Sequence, residues 1–427
     1  MEDPPPDPAA YPTIQAAEAS LPDIPRQSGG SLPSAEVIEA AVNELAADDR
    51  ITGTLSMTVS DPATGEIIYS RDGKAGRIPA SNMKLLTGTA ALTGLGPEAT
   101  LDTTAVLDGD TVYLVGGGDT QLAAEDGDPD AIVGHAGLGD LADEAVASLT
   151  TRGIDKVKVV VDVSMFDTPS YFDSLDEADR IYVMAMAPLA IEGGKRADGT
   201  LAPDPAGEAV DAFAAALADR GVTITSAEAA RGVAPEATED NTLGVVHSAP
   251  MREIVERMLT VSDNTIAQSL GHVLAARTGH PANFAGAADA VMAELASRGY
   301  DLTGVAIEDC AGLSIENRIT TELVSQILAE AASCDCDIAA LGSGLPISHL
   351  TGTLTNRFED PELRGLVRAK TGTLVRANSL SGYMVVPEGR LVSFSILIDG
   401  IEPGTTGIAR AAIDDCLEKI AAGKESS

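Results

Sequence analysis

No apolar run in this chain of 427 residues approaches the roughly 18 that a membrane-spanning helix needs, which leaves no candidate for one. Basic residues are scarce. The 28 Lys and Arg stand against 65 Asp and Glu, a net charge of −37, and so acidic a surface repels polyanions, which argues against nucleic acid and anionic lipid as partners. The opening Met1-Glu2-Asp3-Pro4-Pro5-Pro6-Asp7-Pro8 lacks the basic and apolar regions of a secretory signal, so either the protein is cytoplasmic or an export segment precedes Met1. Cysteine is rare too: only Cys310, Cys334, Cys336 and Cys416 occur. Cys334-x-Cys336 without paired histidines is a poor zinc signature, which leaves a disulfide from Cys310 to Cys334 or Cys336, or four free thiols. The histidines His135, His247, His272, His280 and His349 show no metal-ligand spacing. No metal and no cofactor are expected.

The length suits two or three domains with buried cores. Residues 1–30, rich in Pro, Ala, Asp and Ser, read as a flexible leader. Ser34 to Asp48 has helical apolar spacing, and Thr54–Val59 with Glu66–Ser70 form a hairpin across Asp61-Pro62-Ala63-Thr64-Gly65. Short strands follow at Thr103–Leu107 and Thr111–Val115. Gly116-Gly117-Gly118-Asp119 is a loop without the Gly-Lys-Ser/Thr of a phosphate cradle. Helices at Leu138–Arg152 and Ala206–Arg220, with strands at Lys156–Val163 and Val222–Thr225, outline a small α/β insert. Helical patterns then cover Met251–Arg277, Asn283–Arg298 and Thr320–Ser333. A second hairpin (Gly382–Val386, Arg390–Ile398) turns through Pro387-Glu388-Gly389, and a helix at Thr406–Ala422 closes the chain. Hairpin plus helix at both ends predicts one sheet shared by the two termini.

Pro79 and Ser81 mark a helix entry, and Leu85, Leu86, Ala90, Ala91 and Leu92 continue it. Residues three apart on a helix are neighbours, so Lys84 can reach the Ser81 hydroxyl and, if burial strips its proton, activate it without a histidine. Ser-x-x-Lys alone is common, and a capping serine beside a solvated lysine is its bland reading. Two later stretches alter this: Ser262-Asp263-Asn264 in the helical block and Lys370-Thr371-Gly372-Thr373 before the final hairpin. Ser-x-x-Lys, Ser-Asp-Asn and Lys-Thr-Gly, in that order, are the set carried by penicillin-binding proteins and class A β-lactamases.

With Ile78–Thr87, Tyr113–Asp119, Gly352-Thr353-Leu354, Arg357 and Ala369–Leu374 added, residues 35 to 420 resemble the penicillin-binding protein 4-type D-alanyl-D-alanine carboxypeptidases, the class C low-molecular-mass group. The resemblance implies an α+β, transpeptidase-like fold: an antiparallel sheet with helices on both sides, and a smaller α/β domain inserted between the first and second motifs. The expected division is 31–100 with 243–423 as the catalytic part and 101–242 as the insert, which looks too short for two nested domains. The 181 residues between Ser81 and Ser262 leave room for it. No Glu-x-x-Leu-Asn of a class A β-lactamase is present.

The implied function is a serine DD-peptidase acting on peptidoglycan stem peptides, as carboxypeptidase or endopeptidase, and acylated by β-lactams. Ser81 is the expected nucleophile, Lys84 its base, Ser262 a proton relay, Asn264 a holder of the substrate amide and Lys370 a cation for the substrate carboxylate. Thr371, Gly372 and Thr373 are expected to bind that carboxylate, and the backbone N–H groups of Ser81 and Thr373 to form an oxyanion hole. Such a substrate lies outside the cytoplasm, in a cell wall or periplasm-like space, with a membrane anchor ahead of Met1 compatible with it. Departures from the family pattern fall at Asp309-Cys310-Ala311-Gly312-Leu313-Ser314, Gln268 and Ser348-His349. These motivate the alternative of a catalytically silent wall-binding or scaffold protein; a β-lactamase is the third reading.

Overall fold

The structure, a computed structural model, describes residues 30–167, 170–226, 231–333, 336–358, 363–386 and 389–423. The leader ahead of Gly30, Cys334 and the Pro387-Glu388 turn lie outside the described residues. Helix α1 (Ala35–Ala47) starts where the Ser34 hydroxyl accepts the Val37 N–H, and it buries Val37, Ile38, Ala41, Val42 and Leu45 along one stripe. The hairpin β1 (Thr54–Asp61) and β2 (Glu66–Arg71) leads into α2 (Met83–Gly94). Strands β3 (Asp102–Asp108), β4 (Thr111–Val115) and β5 (Asp119–Leu122) follow, so Asp119 begins a short strand rather than sitting in the expected loop. Then come α3 (Leu138–Thr151), β6 (Lys156–Asp162), β7 (Leu189–Ile191), α4 (Pro205–Asp219), β8 (Thr223–Ser226) and β9 (Thr242–His247).

The expected helix over Met251–Arg277 is two: α5 (Met251–Val261) and α6 (Asn264–Thr278). Ser262 between them has left-handed dihedrals (φ 61°, ψ 43°), and the Asp263 carboxylate caps α6 by accepting the Ile266 N–H. Helical apolar spacing persists through the break because both helices bury against the same core, so periodicity alone could not reveal it. Helices α7 (Phe284–Ser297), α8 (Thr321–Ser333) and the single turn α9 (Ala340–Ser343) precede β10 (Val367–Leu374), β11 (Ala377–Val385), β12 (Leu391–Asp399) and α10 (Thr406–Ala422). The sequence reading missed β10 and the first half of β11. Lys370, Thr371, Gly372 and Thr373 interrupt the alternation that marks a half-buried strand.

The main sheet has the order β10-β11-β12-β1-β2, and each of its pairs is antiparallel. Its outer face packs Leu55, Met57, Val59, Leu380, Phe394 and Ile396 against α1 and α10. The inner face is lined by small hydroxyls. Ser60 bonds Ser325 of α8 and Ser393 of β12, Thr58 bonds Thr321, and Ser381 bonds Ser395. These pairs satisfy groups whose burial would otherwise be costly, and so permit helices on both faces of the sheet. The second sheet, β8-β6-β4-β3-β9, is mixed: β4, β6 and β8 pair in parallel and β3 pairs antiparallel with both neighbours. Its core is shared with α3 and α4. Strand β9 completes it, so this sheet extends past the boundary expected at residue 242 and ends at His247.

Cys310 and Cys416 are buried free thiols, so the bridge expected from Cys310 is not made. Cys310 packs its sulfur against Gly271 of α6, where a Cβ would collide with it. Cys336, by contrast, is disulfide-bonded.

Candidate active site

Helix α2 runs through the middle of the molecule, with every residue from Met83 to Leu92 buried. It tolerates this because its side chains are apolar or, at Lys84, Thr87 and Thr89, hydrogen-bonded; at Gly88 a Cβ would already press on Leu341, Met258 and Val255. Ser81 does not belong to the α-helix itself. It sits in a single 3₁₀ turn, Ala80–Asn82, that feeds α2. Ala80 has positive φ (45°), which turns the chain sharply just before Ser81.

Strand β10 passes directly over that turn. A Cβ on Gly372 would collide with Ser379 Oγ and stand 2.8 Å from the Ser81 nitrogen, so only glycine allows the approach. Ser379, paired with Gly372 across the β10–β11 ladder, donates to the Pro79 carbonyl at 2.6 Å and ties the turn to the sheet.

The side chains predicted from three distant segments meet here. Lys84 Nζ lies 3.1 Å from Ser81 Oγ and donates to Asn264 Oδ1 at 2.7 Å and to the Ala311 carbonyl at 2.6 Å. Lys370 Nζ donates to Ser262 Oγ at 2.9 Å and to the Thr371 carbonyl at 2.8 Å. The left-handed turn at Ser262 presents that hydroxyl to Lys370 while starting α6 in time to aim Asn264 at Lys84. Thr371 Oγ1 donates to Thr353 Oγ1 at 2.8 Å, and Thr373 Oγ1 to Asn378 Oδ1 at 3.2 Å. Ser81, Lys84 and Asn264 thus meet directly, Lys370 meets Ser262 and Thr371, and Gly372 brings β10 against the Ser81 nitrogen. Four of the histidines are engaged elsewhere, with Ala131, Asp102, Gln268 and Thr278.

Both lysines are fully buried, and burial holds both below the usual amine range. For Lys84 the shift goes down to about 8, opposed by the negative charges of Asp309 and Asp263. Lys370 is also lowered by burial and further by the charge of Lys84, so two adjacent ammoniums are not sustained together.

Several contributors carried no signal of their own. The Asn264 amide is oriented by donating to the Tyr182 carbonyl at 2.8 Å, and the Met184 N–H bonds Thr265 Oγ1 at 3.2 Å, which docks the segment before β7 on the start of α6. Backbone carbonyls have no residue type, so neither Tyr182 nor Ala311 was legible. Thr353 was, through Gly352-Thr353-Leu354.

A model of the D-Ala-D-Ala carboxypeptidase 3 (S13) family matches residues 38–195 and 189–420. The chain is 33% identical to a carboxypeptidase of Mycobacterium tuberculosis over 434 residues, covering 98% of this chain and 89% of the relative. It is 33% identical to carboxypeptidase DacB of Mycolicibacterium smegmatis over 378 residues, covering 85% and 79%. Among solved structures, penicillin binding protein 4 from Haemophilus influenzae superposes with a TM-score of 0.72 at 18% identity, covering 88% of this chain and 98% of that one.

Proposed function

The chain belongs to the D-Ala-D-Ala carboxypeptidase 3 (S13) family and is a serine-type DD-peptidase, and from that premise we propose that its acyl-enzyme forms on Ser81. The substrate is the D-Ala-D-Ala terminus, or the corresponding cross-link, of a peptidoglycan stem peptide, and β-lactams acylate the same hydroxyl. The observation that carries the reading is the contact between a buried amine, Lys84, and the Ser81 hydroxyl at 3.1 Å.

In this reading neutral Lys84 takes the Ser81 proton as Oγ attacks the carbonyl carbon. The oxyanion is met by the backbone N–H groups of Ser81 and Thr373. Ser262 passes a proton to the departing amine, the C–N bond breaks, and water later hydrolyses the ester. Lys370, with Thr371 and Thr373, receives the terminal carboxylate; that anion stabilises an ammonium on Lys370, and repulsion between neighbouring cations then favours the free base on Lys84. Asn264 holds the substrate amide with its remaining N–H. The catalytic part is assigned to residues 31–100 and 248–423, with 101–247 as the insert. Because peptidoglycan lies outside the cytoplasm, the proposed site of action is a cell wall or periplasm-like space. None of the described helices is long and apolar enough to cross a membrane.

Incubation with a labelled penicillin followed by peptide mass spectrometry is expected to give one adduct, on Ser81. A correctly folded protein with Ser81 unmodified overturns the assignment. Parallel assays on a linear stem peptide and a cross-linked dimer then divide carboxypeptidase from endopeptidase, and absence of turnover on both would leave the silent scaffold.

A further inference from the structure

The Lys84 amine has three polar neighbours, and they are not equivalent. Asn264 Oδ1 and the Ala311 carbonyl can only accept; the Asn264 orientation is fixed because its nitrogen already donates to Tyr182. A neutral amine has two N–H bonds and one lone pair. With both N–H bonds committed to those acceptors, the lone pair is left facing the one neighbour that can give a proton, Ser81 Oγ.

Ala311 is thus half of what aims the base, and its carbonyl is held by an unusual turn. The Asp309 carboxylate, fully buried, accepts the backbone N–H groups of Ala311 (2.8 Å), Gly312 (2.7 Å), Leu313 (3.2 Å) and Ser314 (2.7 Å) and the Asn317 amide (2.6 Å). Gly312 has φ 88°, and a Cβ there would collide with the Ala80 carbonyl, so the turn closes against the residue preceding Ser81. Thr87, one helical turn beyond Lys84, donates to the Cys310 carbonyl at 2.7 Å, and Gln268 accepts the Cys310 N–H at 3.0 Å. The turn is therefore pinned to α2 and α6, the helices that carry Lys84 and Asn264.

We propose that Asp309 is a positioning residue for the acyl transfer: by folding residues 310–314 around its carboxylate it fixes the Ala311 carbonyl on Lys84 and directs the amine lone pair at Ser81. It also sets the field at the amine. The titratable groups facing Lys84 are Asp309 from this turn, Asp263 from the cap of α6 and Lys370 from β10, and α2 itself carries no other titratable side chain. The Cys310 thiol beside it is held protonated by burial. Asp309 favours the ammonium, so removing its charge lets the amine lose its proton at lower pH.

The proposal rests on Ser81 and Lys84 being the reacting pair, which the penicillin adduct on the wild-type protein tests separately. Stopped-flow acylation by a chromogenic β-lactam, across pH, is measured for wild type, Asp309→Asn and Thr87→Val, with thermal unfolding as the check on folding. For Asp309→Asn the acylation rate constant is expected to fall roughly tenfold to a hundredfold, the cost of a misaimed group. Non-covalent affinity should be unchanged and the pH inflection lower. Thr87→Val loosens the same turn without touching its charge, so a smaller fall with an unmoved inflection is expected. A folded Asp309→Asn protein with the wild-type rate constant, or with a reduced rate at an unmoved inflection, overturns the proposal. If that variant does not fold, a Thr87→Val protein acylating at the wild-type rate overturns it instead.

Discussion

At the scale of single residues, the proposed chemistry rests on a lysine whose amine burial lowers to about 8. With its proton lost near pH 8, Lys84 is charged and unable to accept a proton at lower pH, so acylation of Ser81 should rise with pH and level off above that value; stopped-flow kinetics between about pH 6 and 10 check this. Stability has the same sign. An unfolded lysine titrates near 10.5 and the folded one near 8, so the folded state binds fewer protons between those values and gains stability as pH rises through that window. Lys84→Ala should slow acylation by roughly 10²–10⁴-fold, the usual contribution of a general base, while the protein remains folded. A wild-type rate in that variant would remove Lys84 from the reaction. Ser81 and Lys84 were legible because a fixed spacing of three puts them on neighbouring positions of one helical turn.

At the scale of elements, the break between α5 and α6 sets Ser262 toward Lys370 and Asn264 toward Lys84. Ser262 occupies the left-handed region, where a β-branched residue is strained by roughly 1–2 kcal/mol. Ser262→Gly keeps the turn and removes the hydroxyl that Lys370 holds, so thermal unfolding should change little while acylation slows. Ser262→Val should lose both stability and rate. Equal unfolding temperatures for the two variants would mean that the turn is not under this constraint. Strand β10 makes the complementary point. Its Gly372, expected at the substrate carboxylate, also admits the protein's own Ser81 backbone.

At the scale of the whole molecule, the stretch proposed as an insert reaches the start of α6. The segment ahead of β7 supplies the Tyr182 carbonyl that orients Asn264 and the Met184 N–H that bonds Thr265. Thr265→Val leaves that buried N–H without an acceptor, a loss of about 1–3 kcal/mol. We expect a lower unfolding temperature together with slower acylation, as Asn264 loses its orientation. A variant destabilised but with an unchanged acylation rate would separate the docking of this segment from the chemistry.

Local order was written in the chain itself: hairpins at both ends, helices capped at Ser34 and Asn283, and three short motifs whose residue types already define acyl transfer, since propensity, capping and side-chain chemistry act over a few residues. The meeting of residues 81, 262, 311 and 370 is different in kind. It follows from β1 pairing with β12 and from the bonds of Lys84 to the Ala311 carbonyl and of Lys370 to Ser262, contacts between segments more than 100 residues apart that no local pattern encodes. That Lys84 is taken out of water, and its amine lowered to about 8, only the packing decides.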